Sequence, residues 1–164
     1  MKLSKNFSKA ELCKSQTATR MGLNNNPTDD QTENLRLLCE RVLQPVRDHF
    51  NQVVSISSGF RDPILSQKIG SSINSQHCKG EAADLEIFGV ANNELADWIK
   101  ENLMFDQLIL EYYTPGEPNS GWVHVSYTKE INSNRKEYLM ATKNATGKTE
   151  YKQILGLSTD RYVK

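Results

Sequence analysis

Ser75-Gln76-His77-Cys78-Lys79-Gly80-Glu81-Ala82-Ala83-Asp84 decides how this chain is read, and Gly121-Trp122-Val123-His124-Val125-Ser126 completes it. Together they carry two of the three histidines. His77 and Asp84 could share one face of a helix, but Gly80 and the β pattern after it argue for a loop that delivers His77 and a strand that presents Asp84. Along residues 82–88, Ala83, Leu85 and Ile87 alternate with Asp84, Glu86 and Phe88, so Asp84 faces away from the apolar side, toward a cleft. His124 faces opposite to Val123 and Val125 and alongside Trp122 and Ser126. Two imidazoles and a carboxylate suit zinc, with a fourth position left open. Each residue alone also has an ordinary reading, as a packed strand histidine or a turn aspartate. The joint pattern is what points to a metal.

The flanking sequence supplies a scaffold. Ser8-Lys9-Ala10-Glu11 is a capping box with Phe7 and Leu12 as a hydrophobic staple, predicting a helix over about 8–15. Residues 16–27 read as a polar loop. Thr28-Asp29-Asp30-Gln31 opens a long helix whose apolar face runs Leu35, Leu38, Cys39, Val42, Leu43, Val46 and Phe50. Pro45 is expected to kink or divide it, and His49 to have a solvated or packed role. Residues 53–58 are β-branched and end at Gly59, a strand. Asp62-Pro63 caps a short helix that ends at Gly70. Residues 91–103 form an amphipathic helix capped by Asn92 or Asn93. Strands over 106–113 and 122–127 flank a Pro- and Gly-containing loop, and a last hairpin turns at 144–147. Helices cluster early and strands late, so the expected class is α+β with a mainly antiparallel sheet and N-terminal helices packed on it. The chain is read as one domain: a helical lead-in (1–50), a metal-site core (51–128) and a C-terminal hairpin (129–164).

Composition removes several function classes. Of 164 residues, 20 are Lys or Arg and 20 are Asp or Glu, so no overall field favours nucleic acid or an anionic membrane. No run approaches the ~18 apolar residues of a membrane span. The N-terminus lacks the apolar core of a secretory signal, so synthesis in the cytoplasm is expected. Cys13, Cys39 and Cys78 are odd in number and widely spread, which argues for reduced thiols and against a disulfide framework or a cysteine-rich zinc site. A serine or cysteine hydrolase has little support, since no nucleophile elbow is present.

The pattern Ser75-x-His77-x-x-Gly80-x-Ala82-x-Asp84, followed by Trp122-Val123-His124-Val125-Ser126, resembles the signature of the zinc D-Ala-D-Ala carboxypeptidase family, which includes muramoyl-peptide carboxypeptidases and phage endolysins. The segments 56–61, 105–111 and 43–47 resemble its phage-type branch. The resemblance implies a hedgehog-like fold of the D-Ala-D-Ala carboxypeptidase type, with His77, Asp84 and His124 as Zn2+ ligands and hydrolysis of peptidoglycan stem peptides. It implies a phage or prophage setting, with action at the bacterial cell wall after release through a pore or delivery by a virion. A monomer without nucleic-acid or membrane partners is expected. Arg61 would bind a substrate carboxylate or steady an oxyanion, the alternative being an ion pair with Asp62 or a neighbour. Several members of the family carry an acidic residue three positions before the last histidine; here that position is Gly121. Glu111 is the candidate base, on one face with His124 if it pairs opposite His124 or Trp122 and turned away by a one-residue slip. Glu86 and Glu117 are the reserves. Ser75 and Trp122 are candidate substrate contacts, Ser126 a candidate support for His124, and Tyr113 lines the cleft or packs in the core. Cys78 is read as structural. The rival reading is a non-catalytic zinc module that binds a wall peptide or a protein, and Gly121 is the feature that favours it.

Overall fold

The computed structural model describes residues 1–154. Six α-helices, most of them early, and six strands, most of them late, follow along them: α1 (Lys9–Leu12), α2 (Gln16–Met21), α3 (Asp29–Leu38), α4 (Gln44–Phe50), β1 (Val54–Ser58), α5 (Pro63–Lys68), β2 (Ala82–Ile87), α6 (Asn92–Asn102), β3 (Gln107–Glu111), β4 (Trp122–Ser126), β5 (Glu137–Lys143) and β6 (Thr149–Gln153). The strands form one sheet in the order β1-β2-β4-β3-β5-β6, antiparallel except where β3 meets β5. The class is α+β, as the residue pattern predicts.

Period-two alternation splits the sheet into two chemically different faces. Ala83, Leu85, Ile87, Leu108, Leu110, Val123 and Val125 are buried and meet Leu35, Leu38, Val42, Leu43 and Val46 from the long helical segment and Leu95, Ala96 and Ile99 from α6. The opposite face carries Asp84, Ile109, Glu111, Trp122 and His124. Helices thus cover one face only, and the polar groups collect on the other.

Several boundaries depart from expectation for identifiable reasons. The first helix is a single turn, and Ser15 starts a second one inside the anticipated loop, its hydroxyl accepting from Ala18 N. Pro45 divides the long helix by way of a π-helical turn over Cys39–Leu43, in which Gln44 N–H donates to the Cys39 carbonyl. The wider turn relieves the proline ring of its clash with the carbonyl four residues back. At α6 the cap position is Ala91, without a side-chain bond. Asn92 is buried instead, its amide donating to Glu86 and to the carbonyls of Ser120 and Gly121, which ties α6 to the β3–β4 loop. His49 stacks on Trp98 at 4.3 Å, a packing role. Burial pushes the Cys39 thiol up to about 12, as suits a small buried hydrophobe.

Candidate active site

His77 sits in a single 3-10 turn, Gln76–Lys79, which Ser75 caps by accepting from His77 N. Gly80 ends the turn at φ +75, and a Cβ there would lie 2.4 Å from the Gln31 carbonyl oxygen. The close approach lets α3 clasp the turn: Gln31 donates to the Cys78 carbonyl at 3.1 Å and Asn34 to the Lys79 carbonyl at 2.9 Å. The "x-x-Gly" of the motif is therefore a docking point for the N-terminal helix.

On the other side, the 58–62 turn holds both His77 and Arg61. His77 Nδ1 donates to the Gly59 carbonyl at 2.8 Å, which fixes the tautomer and turns Nε2 toward Asp84. Arg61 N donates to the His77 carbonyl, and Phe60 N to that of Leu12. Asn25 accepts from Asp62 N and donates to the carbonyls of Cys13 and Phe60, so the loop before α3 is a structural tie.

β2 and β4 pair with Asp84 directly opposite His124. His124 Nδ1 lies 3.1 Å and His77 Nε2 3.4 Å from the same oxygen, Asp84 Oδ1. One ligating atom from each residue falls within 4.8 Å of the other two, the metal-competent group found among the described residues. Both histidines are nearly buried, at 5% and 8% exposed, and open only onto the cleft. Burial raises the Asp84 carboxyl, but hydrogen bonds from His124 and His77 outweigh it and hold it well below the usual carboxylate range. Burial lowers the His124 imidazole. The result is an ionised carboxylate beside an imidazole biased to neutral, the protonation states that a metal requires of its ligands. Two nitrogens and one oxygen with one histidine oriented by a carbonyl fit zinc.

A model of the Peptidase M15 family matches residues 5–126, most of the chain and the whole of this constellation. The chain belongs to the Peptidase M15 family. No curated protein matches it. A peptidase needs proton-transfer and substrate groups beside its reaction centre, and a cleft of about 410 Å³ over His77, Asp84 and His124 holds the candidates.

Glu111 lines this cleft from the end of β3. It pairs opposite Trp122, with Ile109 opposite His124, so the register keeps Glu111 on the face of Asp84 and His124. Burial first, then the negative charge of Asp84, push its carboxyl up to about 7 against an opposing pull from His77. The other two glutamates stand elsewhere. Glu86 lies on the same face but accepts from Asn92, Glu117 is exposed in the loop, and neither lines the cleft. Gly121 has a steric explanation. At φ +64, any Cβ would fall 1.8 Å from the Glu111 carbonyl oxygen. The chain crosses so closely there that an acidic side chain at 121 is excluded by the same contact that seats Glu111.

Arg61 lines the cleft and donates to Ser58 Oγ at 3.2 Å; Asp62 instead caps α5, accepting from Ile64 N. Arg61 also borders a second hollow, of about 450 Å³, with Lys14 and Ser57. Ser75 lines the cleft besides capping its turn, and Trp122 lines it while packing against Tyr112 at 5.4 Å. Ser126 bonds the backbone of Gln107 at both N–H and carbonyl and so ties β4 to β3. Tyr113 belongs to the core. Cys78 is buried, its thiol 3.7 Å from the Ser72 carbonyl. Residues absent from the sequence reading also reach the cleft: Gln76, held by Asp106 at 2.8 Å, Gln107 and Tyr151. Gln76 adjoins the motif histidine and Gln107 shares the alternation of Glu111, so both carried a signal. Tyr151 carried none, because its place depends on a nonlocal strand pairing.

Proposed function

We propose that this M15 peptidase is zinc-dependent and hydrolyses peptide bonds in peptidoglycan stem peptides. The observation that carries the reading is the placement of Glu111, its carboxyl raised mainly by burial, in the same cleft as His77, Asp84 and His124.

In this reading His77, Asp84 and His124 hold the zinc. Bound there, zinc would supply Lewis-acid polarisation of the scissile carbonyl and a bound water made nucleophilic near neutral pH. Glu111 takes the proton from the attacking water and returns it to the leaving amine. A carboxyl held near the working pH suits both transfers, because neither direction is strongly uphill. Arg61 binds a substrate carboxylate, its planar guanidinium able to make two parallel bonds. Ser75 and Trp122 contact the substrate. The hollow beyond Arg61 gives an extended peptide room on that side.

The feature that favoured a non-catalytic zinc module was glycine at position 121. Glu111 offers in the same cleft the carboxyl that Gly121 lacks, which supports the peptidase reading over that module. The proposed setting is a phage or prophage protein acting on the bacterial wall as a monomer. The test is mass spectrometry of fragments released from purified peptidoglycan by the zinc-loaded protein. New peptide termini are expected, and their positions identify the bond. A protein with one zinc bound that leaves every stem peptide intact defeats the proposal. Glu111→Gln should retain zinc and bind muropeptides without cutting them.

A further inference from the structure

The described residues beyond position 126 lie outside the family match, yet one of them, Tyr151, lines the cleft. β5 joins the sheet in parallel beside β3, and β6 then forms its outer edge. Register places four residues in one row across four neighbouring strands: Trp122 opposite Glu111, Glu111 beside Ala141, and Ala141 opposite Tyr151. Two strand spacings separate the backbones of Glu111 and Tyr151, about 10 Å. Ala141, between them, is wholly buried and raises only a methyl group. The Tyr151 ring therefore faces the same cleft as the Glu111 carboxylate, with no long side chain in the row to divide them.

Tyr151 is the exposed aromatic side chain among the described cleft residues. It is 57% exposed, where His77 and His124 are nearly buried. An exposed ring on an edge strand adds little to the core, but its face and hydroxyl are available to a ligand. Burial first, and then the nearby Glu111 charge, raise its phenol, so the hydroxyl stays a donor at neutral pH.

We propose that the β5–β6 hairpin is a substrate-binding wall of this peptidase, and that Tyr151 packs its ring on the uncharged backbone of the stem peptide beside the scissile bond. The inference rests on the peptidase reading above and adds a binding residue from outside the family-matched segment. Tyr151 holds the peptide against Glu111 and takes no part in proton transfer.

The test uses full-length zinc-loaded protein and the muropeptide that the parent protein cleaves. Tyr151→Ala should raise KM about tenfold, the effect of losing one aromatic contact, with kcat within about twofold. Tyr151→Phe should recover most of the loss, and melting temperatures should match the parent. A readout independent of turnover is iodination of tyrosines in the Glu111→Gln protein, mapped by mass spectrometry. Saturating muropeptide should protect Tyr151. Unchanged KM in Tyr151→Ala, or a bound muropeptide that leaves Tyr151 as reactive as before, overturns the proposal. A parent protein that cuts no muropeptide is a different result: the peptidase reading itself then fails, and this inference with it.

Discussion

The two walls of the cleft are built on opposite principles. The proposed metal wall, β2 with β4 and the His77 turn, is tied at several residues. Gly59 orients His77, α3 clasps the turn carbonyls, and Asp84 bonds both histidines. The hairpin wall, β5 with β6, ends in an edge strand whose Tyr151 stands largely in solvent. Coordination, as proposed for the first wall, demands a fixed geometry with orienting partners, which a buried wall suits. Peptide binding, as proposed for the hairpin, tolerates adjustment, which an open wall suits. Glu111 stands between the two, on β3, paired to β4 on one side and β5 on the other.

The sharpest way to break this contrast is to attack the metal wall. His124→Ala should lose stoichiometric zinc, measured by metal analysis, and with it all measurable release of peptides. Chelation of the parent protein should do the same, and added zinc should restore it. If His124→Ala retains both metal and cleavage, the triad is not the metal site.

Glu111→Gln comes next. Cleavage should fall about 10²–10⁴-fold while zinc content holds. A fall below tenfold would move the proton transfer to another group.

Gly121→Ala tests whether close backbone approach, more than chemistry, reserves that position. A methyl placed 1.8 Å from the Glu111 carbonyl oxygen must displace β3, in a backbone region that L side chains rarely adopt. The expected loss is at least ~3 kcal/mol by denaturant unfolding. Near-parent stability would contradict the steric account.

The smallest effect is one of pH on the metal-free protein. The folded Glu111 carboxyl is raised from 4.5 to about 7. Its contribution is fully present below the unfolded value and is lost as pH rises through about 7. The Asp84 carboxyl is depressed, so its contribution is present above its unfolded value and lost only in strong acid. The lowered His124 imidazole acts in the opposite sense over the same range, so the Glu111 part is read as the difference between the metal-free parent and Glu111→Gln. The variant should gain on the order of 1 kcal/mol relative to the parent between pH 5.5 and pH 8 after allowance for solvent screening. A difference that does not change with pH would mean that Glu111 is well solvated.

What was legible in the chain was local. Caps at Ser8, Thr28 and Asp62, the three-four spacing of Leu35 to Val46, and the alternation around Asp84 and His124 each depend on neighbours a few residues away. They sufficed for the α+β class and for a metal-competent trio. The second helix was hidden because its Ser15 cap sits among polar residues that also suit a loop, and the π turn because it answers a clash within a packed helix.

The sequence by itself determined the donor atoms and the faces they occupy, since side-chain period follows from backbone geometry alone. It left open which glutamate meets the face of Asp84 and His124, because strand register depends on how two distant segments align. Tertiary structure decided that through the β3–β4 register, which sets Glu111 opposite Trp122 and in the cleft. It also brought Tyr151 to the cleft through a parallel β3–β5 pairing, a contact between segments that have no local signal for each other. Ligand chemistry is written in residue types. The shape around it follows from which strands become neighbours.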